Sequence, residues 1–256
     1  MLKKIFGLDR ASSSPEAFSR VSKNEVYETH SFSLKSRRDI KTLEKTVSLK
    51  VEDKALRLLD RDVVAKLKDK YKYIHIGLVQ IALYPLTRLG LNTSILVALR
   101  DCRHLNFNNS LKGLVETSLC EGPVYFNCYP NISVFLTDPG ILDALILNIE
   151  SKGYDMVASS RHIAITYRVC YKVMNTINPK AKRVSKRGTS TVIETNSKSN
   201  VTQVRAISWK DISLPEKWTQ RGVAEPSQEV ERTNQTHEGG VDHLLDGLKA
   251  RWNISE

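Results

Sequence analysis

Apolar and polar positions alternate with period two through much of the first two-thirds of the chain. The clearest stretch is His162–Met174. Ile163, Ile165, Tyr167, Val169, Tyr171 and Val173 fall on one face and His162, Thr166, Arg168 and Lys172 on the other, as in a strand with one face toward a core. Val47, Leu49 and Val51 mark a short strand, and Tyr73–Leu83 is apolar on both faces, as expected inside a sandwich. Further strands are predicted at Ser94–Arg100, Gly113–Leu119, Val124–Cys128, Ile132–Leu136 and Ala144–Ile149. Turn chemistry separates them: Gly90-Leu91-Asn92, Glu121-Gly122-Pro123, Tyr129-Pro130-Asn131 and Asp138-Pro139-Gly140. The period changes to that of a helix only over residues 53–70, where Leu56, Leu59, Val63 and Leu67 recur between charged residues. Spacers this short leave no room for the helices of an α/β fold. The pattern therefore predicts an all-β protein: an antiparallel jelly-roll-like β-sandwich with a flanking N-terminal helix and a polar C-terminal tail.

Charge divides the chain further. The 256 residues carry 39 Lys+Arg against 28 Asp+Glu, a net +11. Residues 189–256 hold eight basic and ten acidic side chains, a net −2, which leaves +13 on residues 1–188. We read 1–44 as a flexible basic arm, 45–178 as the core with its preceding helix, and 179–256 as a basic linker and largely disordered tail. A cationic body calls for a polyanionic partner, nucleic acid or an acidic membrane face. One cluster stands out: Lys172, Lys180, Lys182, Arg183, Lys186 and Arg187 have no acid between them. Six such cations can follow a phosphate backbone without reading sequence, with a log–log salt slope of roughly −4 on a single strand. The cations between Lys35 and Lys72 are interleaved with acids, and a solvated face explains them as well as binding does. Tyr167 and Tyr171 lie on the apolar face, so no stacking platform is visible.

Enzyme signatures are absent: no nucleophile elbow, P-loop, dinucleotide fingerprint or zincin motif occurs. Asp101-Cys102-Arg103-His104 gathers reactive groups within one loop, where Asp101 reads as a structural carboxylate that caps backbone N–H groups or pairs with Arg100 or Arg103. His75 sits mid-strand and reads as a core histidine rather than a ligand. Cys102, Cys120, Cys128 and Cys170 form no C-x-x-C pair and read as reduced, buried and quiet. No cofactor or metal is expected. The apolar run Ile74–Leu83 is half the length of a membrane span, and no secretory signal is visible. In the tail, Trp209 and Trp218 flank a motif that packs back on the sandwich or anchors a partner. Leu244, Leu245, Leu248 and Trp252 form a helical stripe that reads as a docking segment or an idle one, with Gly247 weakening the helix.

Six segments occur in an order that resembles a known family. They are Tyr73–Ile81, Pro85–Gly90, Leu99–His104, Gly122–Asn131, Gly153–Met156 and Ile163–Val169. Together they resemble the thirty-kilodalton (30K) superfamily of plant virus movement proteins, whose hallmark L-x-D at a strand end is matched by Leu99 and Asp101. The resemblance implies a jelly-roll fold, non-specific binding of single-stranded nucleic acid, and no catalytic cycle. It also implies accumulation at host plasmodesmata and the cell periphery, where genome or virions pass between cells, in some members through tubules. Implied partners are plasmodesmal and membrane-associated host proteins, further copies of the chain, and viral coat protein through the tail. Asp101 becomes a position whose loss abolishes transport. The competing reading is a structural capsid-like jelly-roll protein that packages genome.

Overall fold

The computed structural model describes residues 21–28, 39–50, 55–157, 159–184, 189–196 and 201–208, with Leu214, Pro215 and Trp218. In chain order the elements are a one-turn helix α1 (Lys23–Val26), strands β1 (Ile40–Lys50) and β2 (Ala55–Arg57), helix α2 (Arg61–Lys68), and strands β3 (Tyr73–Pro85) and β4 (Ser94–Arg100). A one-turn helix α3 (Phe107–Ser110) leads into β5 (Leu111–Thr117), β6 (Val124–Cys128) and β7 (Ile132–Phe135). Then come β8 (Ile146–Lys152), β9 (Arg161–Met174), β10 (Thr189–Asn196) and β11 (Val201–Ser208).

Two sheets result. The first has the order β1-β9-β3-β6, with β7 also paired to β3; the second runs β11-β10-β5-β4-β8-β2. With β6 and β7 taken as one interrupted strand, the chain crosses to the opposite sheet at every connection from β1 to β9 except β4–β5. That is the interleaved order of a jelly roll. The expected all-β sandwich is therefore the observed fold.

The core lies between the sheets. Strand β9 supplies Ile163, Ile165, Tyr167, Val169, Tyr171 and Val173 to it, all buried, as the alternation predicts. Strand β3 supplies Ile74 and Ile76, then Val79, Ile81 and Leu83. The change of parity comes from a register shift between Ile76 and Leu78, a bulge that passes the inward role from even to odd positions. This is why Tyr73–Leu83 reads as apolar on both faces.

Three elements differ from expectation. Strand β1 begins at Ile40, inside the stretch read as a flexible arm, because the long edge of β9 pairs it from Ile40 through Lys50. The helix starts at Arg61 rather than near 53. Ala55–Arg57 instead pairs with β8, and Asp60 caps the helix by accepting from the backbone N–H of Asp62 and Val63. Lys45 bonds the same carboxylate and, with those N–H groups, holds it below the usual range. Finally, the tail contains a hairpin: β10 pairs antiparallel with β11 and parallel with β5, widening the second sheet. Thr, Val and Ile enrichment in those two runs is a strand signal that averaging over the polar tail conceals.

Outside the core, residues 21–28 cross the outer face of the first sheet as a strap. Val26 and Tyr27 are fully buried against Ile40, Leu78, Tyr129 and Cys170. The Tyr27 hydroxyl lies 3.0 Å from Nδ1 and 2.9 Å from the carbonyl oxygen of His75, whose Nε2 meets Asn131 Oδ1 at 2.9 Å. Burial drives the Tyr27 phenol well above its ordinary pKa and holds His75 below its own. The ring fits because position 77 is glycine: a Cβ there would stand 2.6 Å from the Tyr27 ring and 2.7 Å from Val26 Cγ1.

Gly77→Ala is expected to cost about 1–3 kcal/mol through overpacking and to speed tryptic cleavage at Lys23, read by urea unfolding and limited proteolysis. A second expectation concerns pH. His75 has a lower pKa folded than unfolded, so the unfolded chain binds the extra proton and stability falls as pH drops below about 6.5. His75→Gln should flatten that part of a stability-versus-pH curve.

Candidate functional site

Leu99 and Asp101 sit at the end of β4 and do different jobs. Leu99 points into the core and is 2% exposed. A register shift against β5 follows it, and the chain leaves the sheet with Asp101 buried at 1% exposure. Arg103 supplies the compensating charge: Nε donates to Oδ1 and Nη2 to Oδ2 of Asp101, both at 2.8 Å. This two-point geometry is the strong form of the carboxylate–guanidinium pair. The other guanidinium nitrogen, Nη1, donates to Asp138 Oδ2 at 2.8 Å, and Asp138 Oδ1 accepts the Gly140 N–H at 2.8 Å. The two carboxylates raise the Arg103 pKa, and the Gly140 N–H with Arg103 lowers that of Asp138.

Backbone bonds complete the node. Asp101 N–H donates to Ser110 O at 2.7 Å and Cys102 N–H to Asp143 O at 2.8 Å. Arg57 bonds the Asp143 carboxylate at 3.0 and 3.1 Å. Asp101 thus ties the β4–α3 loop, through Arg103, to the β7–β8 connection. Of the two pairings open in the sequence, the structure has Arg103; Arg100 instead bonds Ser110 Oγ at 2.9 Å and lies over the Phe107 ring at 4.7 Å. Asp138 escaped the sequence reading, because Asp138-Pro139-Gly140 reads simply as a turn, while Arg103 was legible only as one of two possible partners.

The loop does not assemble a nucleophile. Burial raises the Cys102 thiol pKa, and His104 Nε2 lies 3.7 Å from Asp101 Oδ2 on a half-exposed side chain. Cys120 as well as Cys102 is only partly buried, contrary to expectation; Cys128 and Cys170 are buried. Among the described residues, no group of His, Cys, Asp or Glu side chains is placed to hold a metal ion. No helix among them is long and apolar enough to cross a membrane.

The basic cluster is split by the fold. Lys172 is 9% exposed, and its ammonium donates to the carbonyls of Asn178 at 3.5 Å and Pro179 at 3.2 Å. Burial lowers its pKa. A cation so placed holds the loop at Asn178 and Pro179, a use that its place among the phosphate-binding candidates of the sequence did not foresee. Lys182 Nζ donates to Asn24 O at 2.7 Å. Arg183 donates to the Tyr129 hydroxyl at 3.1 Å and stands 4.0 Å from Glu25. Backbone pairing joins the same segments: Lys182 N–H donates to Val26 O and Glu28 N–H to Lys180 O, both at 2.9 Å. Lys180 and Lys182 are exposed, and Lys186 and Arg187 lie outside the described residues.

The outer face of β9 is buried as well. At one level a polar ladder crosses four strands: Arg168 bonds Glu44 at 2.8 Å and Gln80 at 3.0 Å, and Gln80 bonds Asn127 at 3.1 Å. On the second sheet, Trp218 packs with Leu96, Ala98, Phe107, Leu111 and Leu114 at 7% exposure. Of the two roles the sequence left open to it, packing back on the sandwich and anchoring a partner, the packing one is seen for Trp218 here. Trp209, Leu244, Leu245, Leu248 and Trp252 lie outside the described residues.

The chain is 28% identical over 106 residues to the genome polyprotein of Petunia vein clearing virus, covering 41% of the chain and 5% of the polyprotein. It is 28% identical over 109 residues to the movement protein of Figwort mosaic virus, covering 42% of the chain and 34% of that protein. The chain thus spans a small part of the length of these relatives. A loose structural likeness to Desmodium yellow mottle tymovirus, at 13% identity and a TM-score of 0.36, covers 54% of the chain and 89% of that structure's chain. The viral movement protein (MP) family model matches residues 15–188, which include the strap, both sheets of the sandwich from β1 to β9 and the Leu99–Asp101 node. The chain belongs to the viral movement protein family.

Proposed function

We propose that this chain moves viral nucleic acid from cell to cell in a plant host, acting at plasmodesmata as an oligomer without a catalytic cycle. The observation that carries the reading is the family match across residues 15–188. The net +13 on residues 1–188 supports a polyanionic cargo. In this reading Lys180, Lys182, Arg183, Lys186 and Arg187 follow the phosphate backbone of a single strand, while Lys172 holds the loop from which they leave. Host membrane-associated proteins, coat protein and further copies of the chain are the proposed partners, with the tail beyond Trp218 as the contact for coat protein.

Asp101 acts in this reading by shaping the loop, since its two oxygens are spent on Arg103. Removing it leaves Arg103, one-quarter exposed and still paired with Asp138, so the loss of stability is about 2 kcal/mol, below that for breaking a fully buried pair.

Two experiments test the proposal. In leaf epidermis, a fluorescent fusion of the wild type should form paired puncta across walls or protruding tubules. Asp101→Ala and Arg103→Ala should each lose them, and the double variant should be no worse than the single ones. A diffuse signal in every case would refute the transport reading, while loss with Asp101→Ala alone would give Asp101 a role beyond its partner. In vitro, neutralising Lys180, Lys182, Lys186 and Arg187 together should flatten the log–log salt slope for a single-stranded oligonucleotide by about 3. Lys172→Met should lower stability and leave the slope unchanged; an unchanged slope in the fourfold variant would move the binding surface elsewhere.

A further inference from the structure

The outer face of the first sheet carries one feature that neither the core nor the node uses. Strand β7 alternates Ile132 and Val134 inward with Ser133 and Phe135 outward. Phe135 is 54% exposed. It stands opposite Tyr73 of β3, itself partly exposed, with ring centroids 4.5 Å apart and planes at 44°. A lone exposed apolar side chain is ordinary on any protein surface. Two adjoining rings at the end of a rigid sheet are a different object, since each offers a π face at low conformational cost.

The surroundings supply charge. Lys72 precedes Tyr73 and is exposed; its N–H donates to Met174 O at 3.1 Å and its carbonyl accepts from Leu136 N–H at 2.9 Å, which fixes it between the ends of β7 and β9. Lys68 and Lys70 are exposed just upstream, with Asp69 the acid among them. Lys180 follows Pro179, whose carbonyl accepts from the Lys172 ammonium at 3.2 Å, and Lys172 stands opposite His75, two residues along β3 from Tyr73. The more exposed Leu105, Val157, Ile177 and Val184, at 93%, 73%, 58% and 56%, are aliphatic and offer no π face.

We propose that Phe135, backed by Tyr73, is a stacking platform for the bases of single-stranded nucleic acid, with Lys70, Lys72 and Lys180 placed along the path of its phosphates. The proposal rests on the cargo reading above and adds to it a non-electrostatic contact. Bases stack on rings whatever their identity, so the platform strengthens binding without creating sequence preference. It also separates single strands from duplexes, whose bases are already stacked upon one another.

The test uses the full chain and two probes of about sixteen nucleotides, an oligothymidylate and an abasic deoxyribose-phosphate strand of the same length. Fluorescence anisotropy should give wild type a clear preference for the strand with bases. Phe135→Ala should weaken binding to oligothymidylate about tenfold while affinity for the abasic strand and the salt slope stay unchanged. Phe135→Trp should keep the preference, and oligothymidylate, not the abasic strand, should quench its added fluorescence. Equal affinity of wild type for both probes, or a preference that survives Phe135→Ala, would overturn the platform and leave phosphate binding standing. Wild type binding neither probe would instead remove the cargo reading on which the platform depends. A Phe135→Ala variant that changes the sedimentation of the protein and not its base preference would make the ring a contact between copies.

Discussion

Strand β9 has hydrogen-bonded neighbours along both edges, with Ile40–Lys50 on one side and Tyr73–Pro85 on the other. A strand in that position must dispose of two faces as well as two edges, because few of its side chains can reach water. Its inward face is answered by the core. Its outward face carries His162, Thr166, Arg168 and Lys172, all at 9% exposure or less, and each is matched by a polar partner. Thr166 meets Thr46 at 2.8 Å, Arg168 sits in the cross-strand ladder, Lys172 holds two carbonyls, and His162 meets Ser151 at 2.9 Å. Buried polar groups are tolerable only when paired in this way. The rest of the sandwich, the strap included, is arranged around that requirement.

The strap and the node solve a related problem at opposite places. A jelly roll leaves its connections at the ends of the sandwich and one face of each sheet open. Residues 21–28 cover part of the first sheet by placing Tyr27 over the only kind of residue that admits its ring. At the end of β4, a buried carboxylate and a two-point guanidinium hold two connections together. Such a pair contributes geometry more than net stability, which suits a position where the direction of a loop matters. Trp218 covers the corresponding face of the second sheet from a distant point in the chain. In the proposed reading, function falls to what remains exposed: the cations beside the strap and the aromatic pair formed by Tyr73 of β3 and Phe135 of β7.

Much of this was legible in the sequence. An unbroken apolar run marked β3, turn signals and short apolar stretches marked the strands from β4 to β8, and period two assigned the faces of β9, because alternation is a property of the strand backbone itself. Leu99 and Asp101 were visible as a motif, and the surplus of charge located the cationic body. The start of β1, the shortness of α2 and the hairpin β10–β11 were not legible. Ile40–Glu44 is held by the ladder of a partner more than a hundred residues away, Ala55–Arg57 was drawn from a helical pattern into pairing with β8, and β10 finds its place on β5 through a parallel contact.

Local sequence determined that the segments from β3 to β9 extend, which face of β9 is apolar, and that the chain is cationic, since each depends on composition and spacing alone. Tertiary structure decided which cations stay available and which are spent within the fold. Lys172 and Lys180 read alike in the sequence, yet one is buried and bonded to the carbonyls of Asn178 and Pro179 while the other faces solvent. Phe135 and Phe126 are both strand phenylalanines, and only the pleat and the sheet order set one outside and one in the core. Burial depends on what packs above a residue, and that neighbour is chosen by the topology of the whole sandwich.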